Sequence, residues 1–288
     1  MKPFLAALIP AALAAALVLA PRAAQAQATT GLVAFEAKCA GCHQTAAGAA
    51  AHAPDASKLR RMSTEAVYAA LAKAPHTGIA GLAEEDKKLI SAYLGGLKLG
   101  IAELADAKMM PNRCTASAPM GDISKGPAWT GWGNDPTSNA RFQSASSAQL
   151  TAADVPKLKL KWAFGFPGAD EAWSQPAIAA GRVFVGSDAG TVYSLDAATG
   201  CVYWSFQAEG GMRDVINIAP GSGATKYALY FGDMRANVYS LDAETGKQLW
   251  KVRIDDHPSR RSPARPRSTK AASTSRSPPP KSAAAASA

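Results

Sequence analysis

A repeat constrains this chain's fold more than any other feature. Val192-Tyr-Ser-Leu-Asp-Ala-Ala-Thr-Gly-Cys-Val-Tyr-Trp204 matches Val238-Tyr-Ser-Leu-Asp-Ala-Glu-Thr-Gly-Lys-Gln-Leu-Trp250 at an offset of 46 residues. Phe184-Val185-Gly186 matches Tyr230-Phe231-Gly232 at the same offset. Arg182–Gly186 and Thr191–Leu195 read as short strands joined by turns, and four such strands at this period predict β-propeller blades. Asp196-Ala-Ala-Thr-Gly200 and Asp242-Ala-Glu-Thr-Gly246 are expected tight turns, in which Asp bonds turn amides and Gly takes positive φ. Trp204 and Trp250 are expected to pack between adjacent blades. Trp162, after Lys157-Leu-Lys-Leu-Lys161, reads as the end of an earlier copy. The Gly-His…Trp-Asp signature of WD repeats is absent.

Cys39-Ala40-Gly41-Cys42-His43 is a C-x-x-C-H motif, the signature of covalent c-type haem attachment. Two cysteines three apart can each add to one vinyl group of a porphyrin, and the histidine beside them serves as proximal ligand to the iron. A thioredoxin-like C-x-x-C would open a helix after a βαβ-type strand, and residues 31–38 do not read as one. The motif follows an export signal over residues 1–26. Lys2 gives its positive start, Phe4 to Ala20 its apolar run, and Ala24-Gln25-Ala26 its cleavage site. The run is almost long enough to be an uncleaved anchor, but its alanine content and the cleavage site favour removal. The expected location is the periplasm, with no membrane span after cleavage.

Around the motif, residues 27–100 read as a small helical domain. Leu32, Phe35 and Cys39 share one helical face. Ser63 is a good N-cap for a helix through about Lys73, and Pro75 ends it. Glu84, Glu85 and Asp86 open a third helix carrying Ile90, Tyr93, Leu94 and Leu97 at helical spacing. This domain resembles the class I cytochromes c, in which an aromatic four residues before the first cysteine packs on an aromatic of the C-terminal helix. Phe35 and Tyr93 hold those places. The family usually puts a Met in the loop before that helix, whereas Ala74–Ile79 offers only His76. His76 is the preferred distal ligand, Met62 the runner-up and His52 the third choice, with a water-ligated or five-coordinate iron also open.

Residues 101–128 read as a linker whose Met109, Met110 and Met120 are packing residues. Cys114 here and Cys201 in the next domain are left over once the haem cysteines are assigned. A disulfide and two buried thiols both fit. Residues 129–256 are the expected partial propeller. The formal net charge is +9, but residues 257–288 carry seven basic residues and no acidic ones, leaving +2 elsewhere. Basic character therefore belongs to the tail, and a nucleic-acid partner is not expected. The tail is nearly all Ser, Ala, Pro and Arg, and a disordered segment is expected. A frameshift near His257 and a genuine basic tail both account for it.

The Leu-Asp-Ala-x-Thr-Gly-x-x-x-Trp repeat resembles the blade motif of the pyrroloquinoline quinone (PQQ) dehydrogenases. Trp132-Gly-Asn-Asp135…Asn139-Ala-Arg-Phe142 resembles their lead-in strand. An N-terminal cytochrome c before this propeller resembles the quinohaemoprotein alcohol dehydrogenases, nearest to the type acting on polyvinyl alcohol. The resemblance spans about residues 30–256. It implies an eight-bladed propeller holding PQQ and Ca²⁺, a hydride taken from an alcohol or polymer substrate, electrons passed singly to haem c, and a redox partner as acceptor. Arg213, after Gly210-Gly211-Met212, falls where the family has an arginine that contacts PQQ. Eight blades at 46 residues need about 368, and residues 129–256 supply 128. The expected fold is a multidomain α plus all-β chain: a class I-like cytochrome c domain, two to three blades of an eight-bladed propeller, and a disordered basic tail. The expectation for function is a haem c-binding electron-transfer protein of catalytically incomplete dehydrogenase type. The alternative is a stand-alone c-type electron carrier with a β-rich docking module.

Overall fold

The computed structural model of the chain describes residues 30–43, 53–126, 128–132 and 145–254. The export signal, His52, most of the 132–142 lead-in and the basic tail lie outside the described residues. No helix among the described residues is long and apolar enough to cross a membrane.

The first region is helical. Helix α1 (Gly31–Lys38) starts at Thr30, whose side chain accepts from the Val33 amide. It runs into α2 (Ala40–His43), and α3 (Ala56–Leu59) follows, capped by Asp55. Helix α4 (Thr64–Leu71) has the expected Ser63 cap, with the hydroxyl accepting from Ala66 N. A 3₁₀ turn at His76–Gly78 leads to α5 (Glu84–Gly95), which ends at Gly96 in a left-handed conformation. Phe35, Cys39, Val67, Leu71, Ile90 and Leu94 make its buried cluster. Phe35 and Tyr93 pack with ring centroids 5.9 Å apart. Leu32, expected on the inner face, is instead exposed, and Ala34 turns inward beside Phe35.

Residues 101–128 are not a free linker. Helix α6 (Ile101–Leu104) and a 3₁₀ turn at Ala107–Met109 bury Ile101, Ala105 and Ala107. Met120 enters the main core of the second region and Met110 packs against a separate cluster around Val183 and Tyr193, but Met109 is exposed, against expectation. The remaining ambiguity about cysteine is resolved: Cys114 and Cys201 form a disulfide, with Cα atoms 5.0 Å apart. It ties this segment to the start of a blade strand.

After α7 (Ala145–Ala148) and an extended stretch, two four-stranded antiparallel meanders follow. The first blade contains β1 (Ala177–Ala179), β2 (Arg182–Gly186), β3 (Thr191–Asp196) and β4 (Val202–Gln207). The second contains β5 (Asn217–Pro220), β6 (Tyr227–Gly232), β7 (Asn237–Asp242) and β8 (Gln248–Arg253). The 46-residue offset survives in detail. Leu195 pairs with Val183 as Leu241 pairs with Leu229, and both third strands shift register after the serine, at Ser194 and Ser240. Asp196 Oδ1 accepts from the amides of Ala198 and Thr199, and Asp242 Oδ1 from those of Glu244 and Thr245. Gly200 and Gly246 close these turns at φ +75° and +73°.

Each turn glycine also receives the tryptophan of the preceding copy. A Cβ on Gly246 would stand 2.6 Å from the Trp204 ring, and one on Gly200 2.6 Å from the Trp162 ring. The indole N–H groups of Trp204 and Trp162 donate to Ala243 O and Ala197 O, so the contact is the same at both steps. Trp162 thus fills the earlier-copy role, although its segment is extended without forming a ladder strand. Among the described residues no further turn follows to receive Trp250, and its face of β8 is exposed. Between the blades, Phe184, Trp204, Met212, Ile216, Leu229 and Phe231 form the main core.

Candidate functional site

The helical region encloses a cavity of about 600 Å³, walled by Lys38, Cys39, Cys42, His43, Pro54 and His76 among others. A deeper chamber of about 170 Å³ adjoins it, lined by Phe35, Leu59, Met62, Val67, Leu71 and Ile90 and sharing Cys39, His43 and His76. Cofactor sites run from about 300 to 1,000 Å³, mostly apolar with a few polar groups. The sequence-predicted residues Cys39, Cys42, His43, His76 and Met62 therefore meet around one hollow.

Local structure explains the meeting. The α1–α2 junction places Cys39 inward and Cys42 at the rim, with His43 buried in the last turn. Pro75 and the following 3₁₀ turn bring His76 back over the hollow. The two imidazoles lie with centroids 6.1 Å apart and planes within 20° of parallel. His43 Nδ1 bonds the Pro54 carbonyl at 2.7 Å and His76 Nδ1 bonds the Ala70 carbonyl at 3.0 Å. A carbonyl can only accept, so each Nδ1 is the donor, and Nε2 is the nitrogen left to face the hollow's contents. That is the second-sphere arrangement of metal-ligating histidine. Two metal–imidazole bonds of about 2 Å, plus two ring half-widths, come to roughly 6 Å. The spacing suits one metal between the two rings.

Burial pushes the Cys39 thiol above its ordinary range, with the neighbouring Cys42 adding to the effect. A thioredoxin-type attacking cysteine needs the opposite shift and an exposed sulfur. Both cysteines of the C-x-x-C pair stand on the wall of the cavity, Cys39 buried and Cys42 exposed. Among the described residues no group of three or more His, Cys, Asp or Glu could hold a bare metal ion. His43 and His76 are two imidazoles on one cavity that could serve a metal carried in by a larger group.

The second expected site is less complete. Arg213 is exposed on the β4–β5 loop, its guanidinium 3.2 Å from the centroid of Trp173. Sequence reading missed Trp173, which lies 40 residues upstream with no motif around it. The guanidinium covers one face of the Trp173 ring. Nearby, Ser174 donates to Asp214 O, and buried Asn217 Nδ2 has no hydrogen-bond partner. The described residues gather no acidic cluster for Ca²⁺.

Comparison with known proteins bears on the β region most directly. The family model PQQ_2, described as Outer membrane protein assembly factor BamB, matches residues 108–277. The match runs past residue 256, where composition alone placed the end of the patterned region. A polyvinylalcohol dehydrogenase from Pseudomonas sp is 34% identical over 249 residues, covering 82% of this chain and 38% of its own. One from Sphingopyxis sp. (strain 113P3) is 34% identical over 240 residues, covering 78% and 35%. The chain thus spans less than two fifths of the length of these curated relatives. Among solved structures, a europium-containing methanol dehydrogenase shares 23% identity over 38% of this chain and 20% of its own, with a TM-score of 0.29. With the family model covering more than half of its length, the chain belongs to the PQQ-type propeller family and is a homologue of the polyvinyl alcohol dehydrogenases.

Proposed function

We propose that the helical domain is a c-type cytochrome domain, and that the chain carries electrons for alcohol oxidation of the polyvinyl alcohol dehydrogenase kind. One observation carries this reading: His43 and His76 face each other across a hollow whose wall holds both cysteines. A haem bound there would supply a one-electron redox couple, which no side chain of the cavity supplies.

The chain's own residues have distinct tasks in this reading. Cys39, buried, and Cys42, at the rim, would hold the porphyrin as thioethers. His43 and His76 would hold the iron through Nε2, with the Pro54 and Ala70 carbonyls fixing each ring through Nδ1. Leu59, Val67, Leu71 and Ile90 keep water from the inner edge. Bis-histidine ligation places the potential below that of a His/Met pair, because a thioether ligand raises it. Arg213, beside Trp173, would contact PQQ in this reading. The substrate class is the alcohol of the relatives, the acceptor a redox partner protein, and the location the periplasm.

Ligation is tested by absorption spectra of haem-loaded variants. His76→Ala should change the low-spin spectrum, while Met62→Ala should leave it unaltered. A far-red thioether–iron band that survives His76→Ala and vanishes in Met62→Ala would give the distal place to Met62. Added PQQ should raise the melting temperature of the β region, and no shift would favour the docking-module alternative.

A further inference from the structure

The geometry points to Arg235 as a positioning residue that clamps one wall of the cavity to the β region. The 46-residue offset aligns it with Ala189 of the first blade, so the blade fold itself does not require an arginine there. Its side chain leaves the β6–β7 turn and crosses Gly96, where a Cβ would stand 3.1 Å from Arg235 Cδ. Nη2 donates to the carbonyls of Arg60 and Met62, the latter at 3.1 Å. Nη1 donates to Glu209 O at 3.4 Å. One guanidinium thereby holds two carbonyls of the helical region and one of the blade.

Both ends of the clamp are fixed. At its base, buried Asp233 accepts from the amides of Arg235 and Asn237, from Asn237 Nδ2 and from the Tyr239 hydroxyl. At its tip, Met62 lines the inner chamber with His43 and His76. Arg60 lies over the Tyr93 ring and bonds its hydroxyl, and Tyr93 packs on Phe35. The clamp therefore reaches the cavity through the one turn that joins α3 to α4. Burial draws the Arg235 pKa down, and Glu209 and Asp233 oppose that, which keeps a cation behind the chamber wall. A lysine has one point charge and no fork, so it can replace only part of this. The electrostatic consequence rests on the haem reading; the mechanical one does not.

Amide hydrogen exchange on the full chain tests the clamp. In Arg235→Ala, residues 59–64 and 94–97 should exchange at least ten-fold faster, while β5–β8 keep their protection. Arg235→Lys should recover part of the difference. In the haem-loaded protein the midpoint potential should fall when the cation is removed. Unaltered exchange at both segments in Arg235→Ala overturns the proposal, as does loosening spread evenly over β5–β8. Should Arg235→Ala fail to fold, Arg235→Lys carries the test, and wild-type exchange at 59–64 in that variant overturns the two-carbonyl fork. A wild-type chain that takes up no haem defeats the haem reading alone, and the exchange comparison still decides the clamp.

Discussion

In the β region the chain fills its own centre. Phe184, Trp204, Met212, Ile216, Leu229 and Phe231 are buried against one another, and the repeat turns seat the tryptophans. In the helical region the centre is a hollow, and Phe35, Val67, Leu71, Ile90 and Leu94 form a shell beside it. A domain of some 70 residues has little apolar surface to spare, so such a hollow leaves it marginal until something occupies it. The contrast teaches where stability and function separate. One region is stable by packing, and the other trades packing for a site.

On the proposed haem reading, the largest effect should come from removing the cysteines that would hold the group. Cys39→Ser with Cys42→Ser should lower the thermal transition of the helical region, a loss on the order of 5 kcal/mol, while the β transition keeps its place. Calorimetry that shows two unaltered transitions would erase the contrast. Next comes the comparison of two equivalent tryptophans. Trp204 is 8% exposed against the second blade, whereas Trp250 is 44% exposed. Trp204→Ala should cost about 3–5 kcal/mol in urea unfolding and Trp250→Ala about 1 kcal/mol or less. Equal costs would mean that β8 is covered in solution.

The disulfide should rank third. Cys114→Ser opens an 87-residue loop and should lower the stability of the β region by about 2–4 kcal/mol, with no change in the helical region. The smallest effect is kinetic. In haem-free protein at pH 8 the buried Cys39, its thiol pKa raised, stays protonated and should be alkylated more slowly than the exposed Cys42. The gap should narrow as pH climbs toward the Cys39 pKa, and equal rates at pH 8 would show that the wall is open.

The same contrast sets what could be read from the residues. The blades were legible because a repeat states its fold twice, down to the Asp turn, the positive-φ glycine and the Trp it receives. The cavity was legible as a set of names, since Cys39, Cys42, His43 and His76 carry distinctive chemistry. Their tautomers were not legible, because the Pro54 and Ala70 carbonyls that set them belong to no motif. Trp173 under Arg213 and the fork of Arg235 were missed for a similar reason. Both are single residues whose partners are distant in sequence, and neither disturbs a periodic pattern. Residues 101–128 misled by lacking a period, although Ile101, Ala107 and Met120 bury well as separate plugs.

The central claim is that the cysteine-walled hollow holds a covalent haem. Denaturing mass spectrometry of the chain, expressed with a c-type haem attachment system, tests it most directly. The account predicts a mass increase of one haem that persists through denaturation and is lost in Cys39→Ser with Cys42→Ser. A chain that runs at its apo mass with both thiols free to alkylation would contradict it.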